Sequence, residues 1–203
     1  HQGCLAKVNL ALGAMPTFKG LDKRHLKDRL IICPSLGHLE RSFASYEQGG
    51  FSSDVAMEIT IPSTHDTTLT SSGHHVLSAT VFYLPSILAT GSWDTGKADL
   101  VGMIGATLRQ YAPDLPDLVL AADVYTPADI DVIAGGTGGH WHGGDLSLDQ
   151  LGPLRPAAGL SRYATPVAGL FLCGAGTHPC GGVTGINARL GAEAVLAHVG
   201  ARP

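Results

Sequence analysis

Hydrophobic and polar positions alternate most clearly in the first half of the chain. Over residues 56–61, Met57, Ile59 and Ile61 share one face of an extended backbone, and Pro62 ends the run. Residues 76–84 are rich in Val, Thr, Phe and Tyr and form a second strand pattern. The polar connection from Ser63 to Gly73 holds no helix-sized apolar pattern, so the two strands are expected to run antiparallel. Residues 7–12, bounded by Gly13 and Pro16, predict a further short strand, and residues 118–125 another. Helical spacing falls on residues 36–48, where Leu39, Phe43 and Tyr46 recur before the stop at Gly49 and Gly50. A second helix is expected from about residue 97 to residue 111, capped by Asp94 or Thr95, with Val101, Ile104 and Leu108 inward and Gly105 marking close packing. Thr126 followed by Pro127 opens a short third helix. Residues 17–32 read mostly as loop. Strands and helices mix without strict alternation, which predicts an α+β fold with an antiparallel or mixed sheet and flanking helices.

The C-terminal pattern differs. Residues 170–173 form a short apolar run bounded by Gly169 and Gly174, expected to be a buried strand, and Ala188, Ala192, Val195, Leu196 and Val199 repeat at helical intervals. Between them lies a glycine-rich loop. Glycine lets a backbone turn tightly and approach a ligand, and the following helix aims its free N–H groups and positive dipole end into that loop. A cofactor site is one reading; a turn and a helix start is the other, and both stay open on this pattern. The loop is not the dinucleotide fingerprint: Pro179 stands where the third glycine belongs, and no acidic residue follows at the ribose distance.

A second glycine cluster spans residues 135–144 and contains His140 and His142. One residue apart, they would face the same side of an extended chain, as two metal ligands might. No third ligand is placed by spacing, so hydrogen-bonding roles and no metal are expected.

The chain has 203 residues, enough for one domain or one domain plus part of another. A net charge of -4, with no basic cluster beyond the mixed-charge stretch at residues 19–29, excludes nucleic acid as the partner. No apolar segment approaches the ~20 residues of a transmembrane helix, and no signal-peptide pattern opens the chain, so a cytoplasmic location is expected. Cys4, Cys33, Cys173 and Cys180 form no CxxC unit, which suggests neither zinc nor a disulfide framework. Cys173 is expected to act as a small hydrophobe in its strand. Cys180, close to a helix start, has a lowered thiol pKa as one reading and no special role as the other.

LFLCGAGTHPCGGVTG at residues 170–185 resembles the C-terminal flavin motif of the phytoene-desaturase-like FAD oxidoreductases. The likeness continues through TGGHWHGGDLSLDQL at 137–151, LRP at 154–156 and YATP at 163–166, and more weakly through KVNLAL at 7–12, IPSTHD at 61–66 and GHHVLS at 73–78. It implies that residues 1–135 are part of a substrate-binding domain. Residues 136–203 would be the flavin-covering segment of an incomplete, Rossmann-like FAD-binding domain, whose N-terminal ADP-binding half is absent.

The resemblance also implies FAD as cofactor, contacted by Gly174, Ala175, Gly176, Gly182, Val183 and Thr184. Backbone N–H groups near Gly182, Val183 and Thr184 would face the N1/C2 edge of the ring. His142 and His178 are the candidate catalytic residues by their motif positions, and Arg155 would brace the flavin loop. Thr184 and the Ile186-Asn187-Ala188 segment depart from the family's usual Met and Ala-Pro-Gly. The implied activity is a C-terminal portion of a desaturase or dehydrogenase that passes hydride to flavin, with the chemistry carried by the cofactor. An apolar small-molecule substrate and the missing N-terminal half are the implied partners. The isolated chain is expected to be inactive, and exposed apolar surface could drive homo-oligomerisation. Two alternatives stay open: a carotenoid desaturase or isomerase, and a non-catalytic remnant or partner-binding module.

Overall fold

The computed structural model describes residues 4–179 and 181–200, so Cys180 lies outside the described residues. Among these residues five strands form one sheet in the order β2-β3-β4-β1-β5: β1 Leu5–Leu12, β2 Leu30–Ile32, β3 Met57–Thr60, β4 His75–Phe82 and β5 Val119–Tyr125. Every neighbouring pair is antiparallel, with Val8 opposite Ala79 of β4 and Val124 of β5, and Ile59 opposite Ala79 from the other side. The register puts Ala6, Val8, Leu10 and Leu12 on one buried face, while Lys7 and Asn9 lie on the other with Thr80, Ser78 and Glu58. This is the half-buried alternation expected of a sheet covered on one side.

Among the described residues five α-helices accompany the sheet: α1 Leu36–Glu47, α2 Trp93–Tyr111, the short α3 Leu115–Leu118, α4 Pro127–Ala134 and α5 Ile186–Gly200. Helix α2 supplies Leu100, Ile104 and Leu108 to the main core. Burying each such side chain contributes about 1.5–3 kcal/mol. Thr126 and Asp129 form a reciprocal capping box at the start of α4, and Lys97 of α2 donates to Asp129 at 2.7 Å, tying the two helices together.

The α+β architecture and the strands at residues 7–12, 56–61, 76–84 and 118–125 agree with expectation. Several local expectations do not. Residues 17–32, expected to be mostly loop, contain β2, a three-residue strand whose pattern is too short to stand out among the surrounding charges. Helix α1 buries His38 and Ser42, not the Phe43 face. Asp54 decides this, because its carboxylate lies 3.0 Å from His38 Nδ1 and its carbonyl accepts from Ser42 Oγ. Helix α2 starts at Trp93, upstream of the expected caps, because Trp93 is buried against Phe51 and donates to Pro85 O at 3.1 Å. Gly105 is not closely packed, since a Cβ there would meet no atom within 4 Å; Gly96 is the tight position, 3.0 Å from Leu88 Cδ1.

The last third carries the larger corrections. Residues 170–173 are not a buried strand: Leu170 and Cys173 are exposed, and the pairing is a single bridge between Ala164 and Phe171. Leu172 N–H donates to Tyr163 O and Thr165 N–H to Leu170 O, closing a tight turn. No other described strand lies alongside to extend the ladder. Helix α5 forms as predicted but meets the protein through Asn187 and Gly191, while Leu196 and Val199 are exposed. Gly191 fixes that face, because a Cβ there would sit 3.1 Å from Cys173 Cβ.

Candidate functional site: the glycine elbow

The two glycine clusters meet. Gly143 has φ +77°, and a Cβ on it would lie 2.6 Å from Gly176 N and 2.8 Å from Ala175 C; one on Gly181 would lie 2.6 Å from His142 O. Only glycine permits that approach of two backbones. Between them opens a cavity of about 480 Å³ lined by His140, His142, Gly144, Asp145, Leu146, Gly181 and Gly182.

Polar side chains hold the walls in place. Asn187, the buried polar residue in the first turn of α5, donates from Nδ2 to Gly174 O at 3.0 Å, Thr177 O at 2.9 Å and Thr177 Oγ1 at 3.0 Å. Thr177 donates back to Gly174 O at 2.8 Å. The Tyr163 hydroxyl donates to His178 O. Arg155 is 1% exposed and spans both clusters, donating to Asp145 O at 2.8 Å, Gly143 O at 3.0 Å, Gly144 O at 3.3 Å and Ala175 O at 3.4 Å. Each such bond ties a loop that has no ladder of its own.

Facing the cavity, His140 is locked in one tautomer. Its Nδ1 accepts from the N–H groups of His142 and Gly144, both at 3.3 Å, which leaves the proton on Nε2, 3.2 Å from Asp145 Oδ1. Burial pushes the His140 pKa down; Asp145 opposes this, and His142 and Arg155 add to it. The Asp145 charge is also felt across the fold. Burial first, and Asp145 second, raise the Cys4 thiol; burial, Cys4 and Asp145 raise the Tyr46 phenol. Tyr46 stacks with Phe43 at 6.0 Å, and Phe43 meets Tyr83 edge-on at 5.2 Å.

Of the residues expected to act here, His142 and Gly182 line the cavity. Ala175 and Gly176 stand behind it against Gly143, while Gly174 anchors Asn187. Val183 and Thr184 are exposed beside it at the start of α5. The N–H groups of Gly182, Val183 and Thr184 donate to no described residue. His178 is not part of the lining; its Nδ1 is buried with no hydrogen-bond partner among the described residues. Among the described residues no group of three His, Cys, Asp or Glu side chains is placed to hold a metal. Asn187 and Tyr163 were not singled out from the sequence as site residues. The usable signal for Asn187 was one amide among the apolar residues opening α5; for Tyr163 it was a place at the head of the YATP stretch.

No family model matches the chain. It is 35% identical over 205 residues to pyridine nucleotide-disulfide oxidoreductase domain-containing protein 2 of Rattus norvegicus, a match covering 96% of this chain and 35% of that protein. The Mus musculus protein of the same name is 34% identical over 205 residues, with the same coverage. A limonene dehydrogenase subunit of Castellaniella defragrans is 35% identical over 114 residues, which cover 53% of this chain and 20% of that protein. The chain thus spans about a third of the length of the first two relatives.

Proposed function

Because this chain belongs to the family of pyridine nucleotide-disulfide oxidoreductase domain-containing protein 2, we propose that it is the flavin-covering, C-terminal portion of an FAD-dependent oxidoreductase. One observation carries the reading: Gly182 lines a cavity that His142 also lines, and the N–H groups of Gly182 and of Val183 and Thr184, exposed beside that cavity, donate to no described residue. These residues fit the ring end of a flavin. Backbone donors at a helix start suit an electron-rich edge, and the neighbouring exposed side chains leave the approach clear. In that reading the bound flavin supplies the hydride chemistry.

The chain's own groups prepare the site. Gly182, Val183 and Thr184 offer fixed N–H dipoles where negative charge would collect, and Asn187, Tyr163 and Arg155 hold the loops that carry them, so little reorganisation is needed. His140, held neutral, keeps the 140–145 loop in shape. His142 lines the cavity with no competing side-chain hydrogen bond to a described residue, and is therefore the better acid-base candidate; His178 is assigned a structural role at the turn.

The finer parts of the proposal follow from the same reading. Residues 1–135 belong to the substrate-binding portion, and residues 136–203 to the FAD-binding domain, completed by an N-terminal ADP-binding half. Exposed Leu196 and Val199 on α5 offer apolar surface for that half. An apolar small-molecule substrate is supported by the match to a limonene dehydrogenase subunit. Among the described residues no helix is long and apolar enough to cross a membrane; a cytoplasmic site of action is part of the proposal.

The test is the colour of the native protein that contains this chain. It should be yellow as purified, and Gly182→Val, which forces a β-branched residue to φ +96°, should release the flavin while the circular dichroism of the sheet is kept. A colourless native protein, or full flavin retention in Gly182→Val, would overturn the proposal.

A further inference from the structure

Arg155 combines features that ordinary packing does not require. It is among the most deeply buried side chains, yet no carboxylate of a described residue pairs with it, and its Nε is buried without a hydrogen-bond partner among the described residues. A buried charge is normally matched by a counter-charge or a dense set of hydrogen bonds. Here the match consists of carbonyl oxygens alone, taken from two segments: Gly143, Gly144 and Asp145 on one side, Ala175 on the other. A planar guanidinium can reach such a divergent set, whereas a lysine ammonium presents a single point of charge.

We propose that Arg155 is the positioning residue of the elbow: its fork sets the gap between the 143–145 loop and the 174–177 turn, and its charge, buried behind the lining and matched by no carboxylate of a described residue, makes the potential in the neighbouring cavity more positive. The contacts alone support the coupling of the two loops. Only the identity of the ligand edge that such a potential would favour, an anionic or electron-rich one, rests on the flavin reading. The first turn of α5 adds potential of the same sign. Asp145 opposes it, with its carboxylate on His140, and among the described residues His140 and His142 are the other titratable groups lining the cavity.

The experiment compares Arg155→Lys and Arg155→Gln in the native protein by amide hydrogen exchange and by NMR titration of the His140 ring. Both variants should speed exchange at Gly144, Gly176 and Thr177 together, by about tenfold or more, while β1 and β4 keep wild-type rates. The His140 midpoint should rise in Arg155→Gln and stay near wild type in Arg155→Lys, because lysine keeps the charge and loses the fork. Exchange that changes in one segment only or in neither, or a His140 midpoint unmoved in Arg155→Gln, would overturn the proposal. If Arg155→Gln does not fold, Arg155→Lys decides by exchange alone: both segments faster upholds the clamp, neither faster refutes it. None of these readouts needs bound flavin, so a colourless protein would sink the flavin reading and leave this test intact.

Discussion

A methyl group at Gly143 tests whether the two glycine loops truly abut. In Gly143→Ala the new Cβ is built 2.6 Å from Gly176 N and 2.8 Å from Ala175 C, both backbone atoms that cannot swing aside as a side-chain end can. Two costs add. Holding alanine at a left-handed φ costs about 1 kcal/mol, and moving packed backbone aside costs about 2 kcal/mol. The sum of about 3 kcal/mol corresponds to roughly a hundredfold rise in local opening, since about 1.4 kcal/mol is tenfold. Amide exchange at Gly176 and Thr177 reads this directly, and it reads the elbow even if the sheet unfolds separately. Two controls separate the contributions. Gly135→Ala, at φ +62° with nothing within 4 Å of its Cβ, carries only the backbone cost of about 1 kcal/mol. Gly105→Ala, in the middle of α2 and equally uncrowded, should stabilise the sheet domain by about 0.5–1 kcal/mol. If Gly143→Ala costs no more than Gly135→Ala, the close approach of the loops, and with it the shape of the cavity, is wrong.

Three further outcomes are expected. Asn187→Ala should lose about 2 kcal/mol of elbow stability by leaving Thr177 O unpaired and removing one of the donors to Gly174 O, and Asn187→Asp should lose more, because a carboxylate would face two carbonyl acceptors; thermal melts followed at Trp141 compare them. Acidification should loosen the 140–145 loop. The folded His140 pKa lies below its ordinary 6.5, so the unfolded chain binds the proton better; the stability tied to His140 is complete above pH 6.5 and falls as pH drops below it, which exchange at Gly144 measured from pH 7 to 5 will follow. The isolated chain should bind FAD poorly, because no described segment supplies the ADP half of a site, and a flavin-fluorescence titration showing tight stoichiometric binding would contradict this.

The sheet was legible because its signals are local. Alternation of Met57, Ile59 and Ile61, the capping pair of Thr126 and Pro127, and the glycine stop after Tyr46 each depend on a few neighbouring residues, and the backbone periods of 2 and 3.6 turn such spacing directly into strands and helices. The glycine clusters also announced themselves by composition, and a motif likeness pointed to them as the site.

What the spacing could not decide was which face met what. The apolar positions of α5 look inward in sequence, yet Gly191 and Asn187 make the contact, because a helix docks where its backbone can come closest and its buried amide finds carbonyls. Residues 170–173 have strand composition but only one bridge, because a strand exists only when another backbone supplies the other half of its hydrogen bonds. For the same reason His142 and Gly182, far apart in the chain, became neighbours through long-range contacts: the Arg155 hydrogen bonds and the close approaches of Gly143 to Gly176 and of Gly181 to His142 O. Residue types and their periods were set by the sequence itself; partners across long loops were chosen in three dimensions, where close packing and the pairing of buried polar groups select one arrangement among many that the same pattern allows.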